Sequence, residues 1–455
     1  MTERGRQMNH AASTPEQRRR RLPDATLPVR YLVFAHLCLI AAFIAFATIP
    51  QSLAGFYYHP RLVAVVHLVT LGWITASILG ALYLILPMAM RAPLPATRVD
   101  RWAFWCFAVG PAGMVSHFWI EDLAGMVWSA GLVMATILLL ACRVFAALRS
   151  SRLGLEHQLP FYLAFANMLL AALLGMAIGI DRTTNLLPGF VLDHVAAHAH
   201  LAALGWATFM VMGASYRLLP MMLPAAVPKG KQLLVGAISC EIGLLTLVSG
   251  LFLGSRISIV GGAIYVLGVA VFFGRVRWML RHRRPPPRDL ARPDFGVLHV
   301  AASFLSLMLA GLLGAVILLS SNREFSIRLL MAYGVLLLVG FLAQMVVGVS
   351  VRILPLFAWM REFSAANFEK LPPSPHTLAS RGLAAAAFAL WTLGLPLLAL
   401  GLTFDWILVI RLGGTLLAVA VALGLIQLCR LIQPHQLRPV EHRGSSPGRV
   451  QGRKC

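Results

Sequence analysis

The chain has 455 residues, of which 59% are hydrophobic and only 12% charged. A soluble domain carries about a quarter charged residues, so a water-soluble globular body is excluded. The net charge of +22 would suit nucleic acid, but all except six of the 39 Lys and Arg fall on one side of the spans predicted below, which excludes a nucleic-acid partner and sets a membrane orientation instead.

From the N-terminus, residues 1–29 form a polar tail with the cluster Arg18–Arg19–Arg20–Arg21 and no apolar stretch, so no cleavable signal peptide is expected. Apolar runs long enough to cross a hydrocarbon core follow at about 30–50, 61–88, 101–120 and 123–147. They continue at 159–180, 192–220, 232–254 and 257–280, and then at 295–320, 327–355, 381–402 and 404–432. Backbone in lipid must satisfy its own hydrogen bonds, so an all-α integral membrane domain of about twelve helices over 30–432 is expected. A second basic tail, 433–455, closes the chain. The basic run from Arg275 to Arg292 lies on the same side as both tails, whereas Glu121, Asp122, Asp181, Asp193 and Asp405 lie on the other. The positive-inside rule puts both termini in the cytoplasm, in a lipid bilayer of the bacterial inner-membrane kind. Six cysteines without a CxxC pair predict neither disulfides nor an iron–sulfur site.

Spans two, six and ten share one pattern. It reads His67, Gly72-Trp73, Gly80, Tyr83 and Leu86-Pro87, then His200, Gly205-Trp206, Gly213, Tyr216 and Leu219-Pro220, then Val335, Gly340-Phe341, Gly348 and Leu354-Pro355. A fixed period over long stretches signals repeated architecture. Three pseudo-equivalent four-helix repeats are expected, at about 30–147, 159–280 and 295–432.

Histidines gather toward the non-cytoplasmic side. His67 and His200 sit at similar depth, about 9 Å into their helices at 1.5 Å per residue. Ionisable groups inside a membrane are costly and usually functional, and neutral imidazole is a common metal ligand. His198 and His200 are two residues apart and point away from each other, so each serves a different site. His194 and His198 share a helix face and are candidate ligands of one metal. His36 and His299 are read as helix–helix hydrogen-bonding residues, and His59 as a solvated loop residue. Glu241, near the middle of span seven, is a proton-relay candidate. Arg411, two turns into span twelve, is a candidate partner for a haem propionate or for Asp405.

The string His198-Ala-His200-Leu-Ala-Ala-Leu-Gly205-Trp206 resembles the HxHL…G segment in the tenth helix of haem-copper oxidase subunit I, closest to the nitric oxide reductase large subunit and C-type oxidases. The His…Gly…Pro pattern is also similar to the NnrS family. The resemblance implies a twelve-helix threefold fold with cofactors toward the outer side. It makes His200 and His67 the axial pair of one b-type haem, and His198 a ligand of a second haem or metal. With the repeats rotated so that span six replaces the tenth helix, His67 and His117 stand in for part of a copper site. Span ten carries Val335 in place of a histidine, and span seven offers Cys240 and Glu241 in place of the family's adjacent His pair, so the binuclear site is incomplete.

The expected function is a haem-binding, or haem- and copper-binding, protein of respiratory electron transfer or nitric oxide metabolism, an oxidoreductase served by a cytochrome or quinol donor. The alternative is a multi-pass transporter of a metal ion or small solute, since twelve spans and internal repeats also mark transporters. No Walker loop, GxSxG or CxxCH motif points to another chemistry.

Overall fold

The computed structural model describes residues 26–122, 125–287, 289–320, 322–365 and 374–433. Both basic tails lie essentially outside this range, including Arg18–Arg21. The described chain is all helical, with an isolated bridge between Ala225 and Arg283.

The long helices are α1 (Thr26–Thr48), α2 (Pro60–Ala89), α3 (Arg98–Trp119), α4 (Met126–Ser150), α5 (Leu155–Thr184) and α6 (Val191–Met222). They continue as α7 (Lys231–Phe252), α8 (Ile257–Arg281), α9 (Phe295–Leu319), α10 (Glu324–Ala365), α11 (Arg381–Phe404) and α12 (Ile407–Ile432). Eleven of these, all but α3, are long and apolar enough to cross a membrane. Their outward faces carry large apolar side chains such as Leu253, Leu408 and Leu312, exposed by 74, 75 and 62%. A soluble surface avoids such extended apolar area, whereas lipid requires it. The chain is therefore a multi-pass, all-α membrane protein.

The third expected span is α3. Its 22 residues would reach about 33 Å at the helical rise. It is less apolar than the others because Trp102, Trp105, Pro111, His117 and Trp119 interrupt the aliphatic sequence. Its start is firmly set by a capping box: the Thr97 side chain accepts from Asp100 N–H, and Asp100 accepts from Thr97 N–H at 2.6 Å. The Arg143 guanidinium, 3.1 Å away, neutralises the buried Asp100 carboxylate.

Helices α2, α6 and α10 each widen into a π-helical stretch, at Leu68–Thr75, Leu201–Ala207 and Val335–Ala343. Such stretches are rare and usually short. These three meet in the middle of the bundle. Trp73 Nε1 donates to Ala343 O at 3.3 Å, and Trp206 Nε1 donates to Thr75 Oγ1 at 3.1 Å. Each is buried alongside Phe341, which is fully enclosed. The glycine that precedes each aromatic ring is the point of closest helix approach. A Cβ on Gly72, Gly205 or Gly340 would lie 2.5 Å from Cys38 Cβ, 2.6 Å from Asn167 Cβ or 2.7 Å from Ser306 Oγ, on α1, α5 and α9 respectively.

Two ends can be told apart by charge. At one, Arg352 donates to Met222 O, Arg361 to Ile432 O and Arg143 to Pro95 O, and most of the described Arg and Lys collect there. At the other, Gly55 N–H donates to Asp405 Oδ1 at 2.8 Å, and Arg182 lies over the Tyr58 ring. They are called the basic end and the arginine-poor end below.

Candidate functional site

A cavity of about 270 Å³ lies in the arginine-poor half between α2, α3, α4, α5 and α6. That is far more than the roughly 10–15 Å³ that one water needs. Its walls are apolar and mostly small, with Ala171, Ala172, Gly175, Ala199 and Ala202 on α5 and α6 leaving the space open. Four methionines, Met114, Met126, Met168 and Met176, also face it. Two imidazoles enter it, those of His67 and His198.

Both rings are oriented by the same device. His67 Nδ1–H donates to Val63 O at 2.8 Å, one turn back on its own helix. His198 Nδ1–H donates across to Ala171 O on α5 at 2.9 Å. A carbonyl only accepts, so Nδ1 holds the proton in each ring and Nε2 is left as a bare lone pair. No described residue bonds to either Nε2. Metal-ligating histidines usually show this pattern, one nitrogen anchored to a backbone carbonyl and the other presented to the metal. Gly175 is part of the device, because a Cβ there would lie 2.8 Å from His198 Cε1. Phe118 packs on the His67 ring at 4.7 Å.

The mouth of the cavity is formed by Tyr57, Tyr58 and Arg182, where the chain leaves α5 and enters α2. Arg182 sits 6.0 Å above the Tyr58 ring. Burial pushes both phenols upward, Asp193 adds to the effect at Tyr57, and the Arg182 charge draws Tyr58 back. Both stay protonated near neutrality, so the rim offers two hydroxyls and one guanidinium. The floor is the ring-and-hydroxyl contact of Trp206 with Thr75, both of which line the cavity.

The structure rearranges the residues expected from sequence. His200 does not line this cavity. Its Nδ1–H goes to Ala196 O at 2.7 Å, and its Nε2 accepts from the Tyr333 hydroxyl at 3.1 Å in a stacked pair. His67 therefore shares its cavity with His198 and not with His200. The register explains why. Tyr333 stands two positions before Val335, as His198 stands two before His200, and in both cases that earlier residue meets the patterned position of the neighbouring helix.

His194 is buried; its Nε2–H donates to Pro188 O at 3.0 Å, its ring packs on Phe252, and it does not line the cavity that His198 enters. His117 accepts from Trp128 Nε1 at 3.1 Å, lies 3.3 Å from Asp122, and does not line the cavity that His67 enters. Arg411 is exposed on α12 and lines no cavity, and Asp405 instead holds the Gly55 amide. Glu241 accepts from Asn167 Nδ2 at 2.8 Å and is not among the residues lining this cavity. His59 caps α2, its Nδ1 accepting from Arg61 N–H. Among the described residues no cluster of three or more His, Cys, Asp or Glu is arranged to hold a metal.

Sequence reasoning missed Arg182 and the four methionines. Only Arg182 left a signal, as one of the few basic residues of the arginine-poor end. No family model matches this chain, and no curated protein matches it.

Proposed function

We propose that this chain is a membrane haem protein in which His67 and His198 would hold the haem, with a role in respiratory electron transfer or nitric oxide chemistry. The observation that carries the reading is the pair of imidazoles with anchored Nδ1 and bare Nε2 facing one apolar cavity. The residues fit the group in three ways. The cavity is too large for one ion and has the apolar walls a porphyrin needs. Two neutral imidazoles suit a bis-histidine iron. Arg182, Tyr57 and Tyr58 at the mouth suit carboxylates, which an arginine binds by charge-assisted hydrogen bonds.

Bound there, the haem would supply one-electron redox chemistry. The chain's own residues do the rest. Val63 O and Ala171 O hold the rings in one tautomer, the aliphatic walls exclude water, and Arg182 fixes the polar edge at the arginine-poor end, where a cytochrome or quinol partner would exchange electrons.

Membership of a haem-copper oxidase-like superfamily is part of this reading, as is the arrangement of three four-helix repeats in twelve spans. The three π-helical stretches in one register, each packed by a glycine against the helix before it, support it. The ligand pair differs from that family's pattern, since the first histidine of the HxH, not the second, stands with His67. Copper enters only in a second reading. That reading is a copper(I) carrier or transporter, favoured by Met114, Met126, Met168 and Met176 beside the two imidazoles.

The test is to purify the full chain with haem supplied and record reduced-minus-oxidised spectra for wild type, His67→Ala, His198→Ala and His200→Ala. A low-spin signal lost in the first two variants and kept in the third supports the reading. A folded, colourless wild type that binds copper(I) replaces it with the second.

A further inference from the structure

Two further cavities meet in the basic half of the bundle. The inner one, about 70 Å³, lies between α1, α2, α9, α10, α11 and α12. Its walls follow the helix axes. On α11 they run from Leu383 to Trp391, eight residues or about 12 Å at the helical rise. On α12 they run from Leu423 to Leu431. A small volume over that length makes a narrow chamber. Its polar side chains are held in the walls. His36 Nδ1–H donates to Leu32 O at 2.7 Å, and the ring meets Trp73 edge-on at 4.9 Å. His299 lies 3.4 Å from the Gln344 amide and packs edge-on against Phe388 at 5.0 Å. Gln427 Oε1 accepts from Ser380 N–H at 3.1 Å. No carboxylate, guanidinium or ammonium group lines this chamber.

The second of the two, about 150 Å³, opens at the basic end and shares Val351, Pro355, Ala379 and Ala384 with the chamber. It is the charged mouth of the same space. Arg352, Arg381, His376 and Asp294 line it. Two guanidiniums against one carboxylate leave one positive charge. Arg352 lies 3.5 Å from Asp294 and meets Met222 O and His376 Nδ1, each at 3.3 Å. A guanidinium carries five N–H groups, so three long contacts leave donors over. Arg381 donates to Arg292 O and pairs with no carboxylate among the described residues. It is also the first residue of α11, whose N-terminal N–H groups favour negative charge.

We propose that the mouth and the chamber form one site for a fatty acid, with its carboxylate between Arg352 and Arg381 and its single chain in the chamber. The charge at the mouth matches one carboxylate and repels a metal cation. A hydrophilic anion would gain nothing from the chamber, and a two-chain lipid does not fit its width. An acyl chain that leaves the bilayer exchanges one apolar setting for another. Selection therefore falls on the head, where arginine holds a carboxylate by paired charge-assisted hydrogen bonds. The site is separate from the His67/His198 cavity and stands whether or not haem binds there.

The full chain, in nanodiscs of zwitterionic phosphatidylcholine, serves for the test. The probe is palmitic acid with a photoreactive diazirine near the end of its chain, and labelled residues are mapped by peptide mass spectrometry. Saturable labelling is expected at chamber residues such as Leu423, whereas the exposed Leu312 on the outer face of α9 should label without saturation. Unlabelled palmitate should compete, and hexadecanol, acetate and inorganic phosphate should not. Arg352→Gln and Arg381→Gln should each lower chamber labelling several-fold. Ala387→Phe, which fills the chamber and leaves the mouth intact, should remove it. Labelling confined to residues like Leu312 overturns the site. Equal competition by hexadecanol, or labelling unchanged in both arginine variants, overturns the carboxylate head. Competition by acetate or phosphate makes it a simple anion site, and competition by phosphatidylglycerol equal to that by palmitate makes it a general anionic-lipid site; both overturn the proposal. If Arg352→Gln does not fold, the exposed Arg381→Gln decides the head, and Ala384→Leu at the shared wall replaces Ala387→Phe on the same terms.

Discussion

Gly175→Ala adds one methyl group against His198 and changes little else. The added Cβ would lie 2.8 Å from His198 Cε1 and 3.1 Å from Nδ1, so the ring must move. It is tied to Ala171 O, one turn away on the same helix as Gly175. Losing that hydrogen bond costs about 1 kcal/mol, and forcing the ring off its rotamer about 0.5–1.5 kcal/mol. Alanine returns about 1 kcal/mol of helix propensity. The net loss of stability is therefore about 1 kcal/mol. The loss of ligand geometry is not compensated, and a ligand bond weakened by about 1.4 kcal/mol lowers affinity roughly tenfold. Haem titration of the purified chain, followed by absorbance beside a thermal melt, separates the two effects. Gly131→Ala is the control, because a Cβ there meets nothing within 4 Å, and it should bind as wild type does. Wild-type affinity in Gly175→Ala, with His198→Ala defective, would refute the claim that the Ala171 anchor sets the ligand geometry.

Arg182→Gln should weaken haem retention by removing the charged partner at the cavity mouth, by roughly tenfold if the lost charge-assisted bond is worth about 1.5 kcal/mol; equal retention in wild type and variant would remove Arg182 from the site. Asp100→Ala should destabilise the chain by about 2 kcal/mol, since it removes the reciprocal half of the capping box and the carboxylate partner of Arg143; chemical denaturation in mixed micelles would measure it, and a change under about 0.5 kcal/mol would contradict the pairing. Tyr333→Phe should leave haem binding intact while removing the hydroxyl that His200 accepts, and loss of the haem signal in this variant would instead implicate His200. At the basic end, His376 is held below its ordinary value, first by burial and then by Arg352. Its contribution to stability is present above the ordinary imidazole range, near 6.5, and is lost as pH falls through the lowered folded value. A melting temperature that drops on acidification below about pH 6.5 should drop less in His376→Asn, and identical pH profiles would exclude His376 as the cause.

Much of the architecture was readable along the chain. Hydropathy located the long helices, and the glycine, aromatic and proline register picked out α2, α6 and α10 as sharing one pattern, because helix length, close approach and helix ends depend on residues near in sequence. The same register did not predict π-helical backbone after His67 and His200. That conformation trades backbone bonds for contacts such as Trp206 with Thr75, and those contacts join helices about 130 residues apart.

For the site, the sequence by itself determined that histidines stand at one depth in two membrane helices and that the HxH sends its two rings to different places. Which ring meets which was decided only by the tertiary structure. His67 on α2 shares its cavity with His198 on α6, and His200 on α6 meets Tyr333 on α10, each the residue two positions before the patterned one. The methionines of α3, α4 and α5 and the arginine at the mouth belong to the same class. Each residue lies at an ordinary place on its own helix, and it acquires a shared space only when side-chain packing leaves one, a property of the assembled bundle that no single stretch of sequence carries.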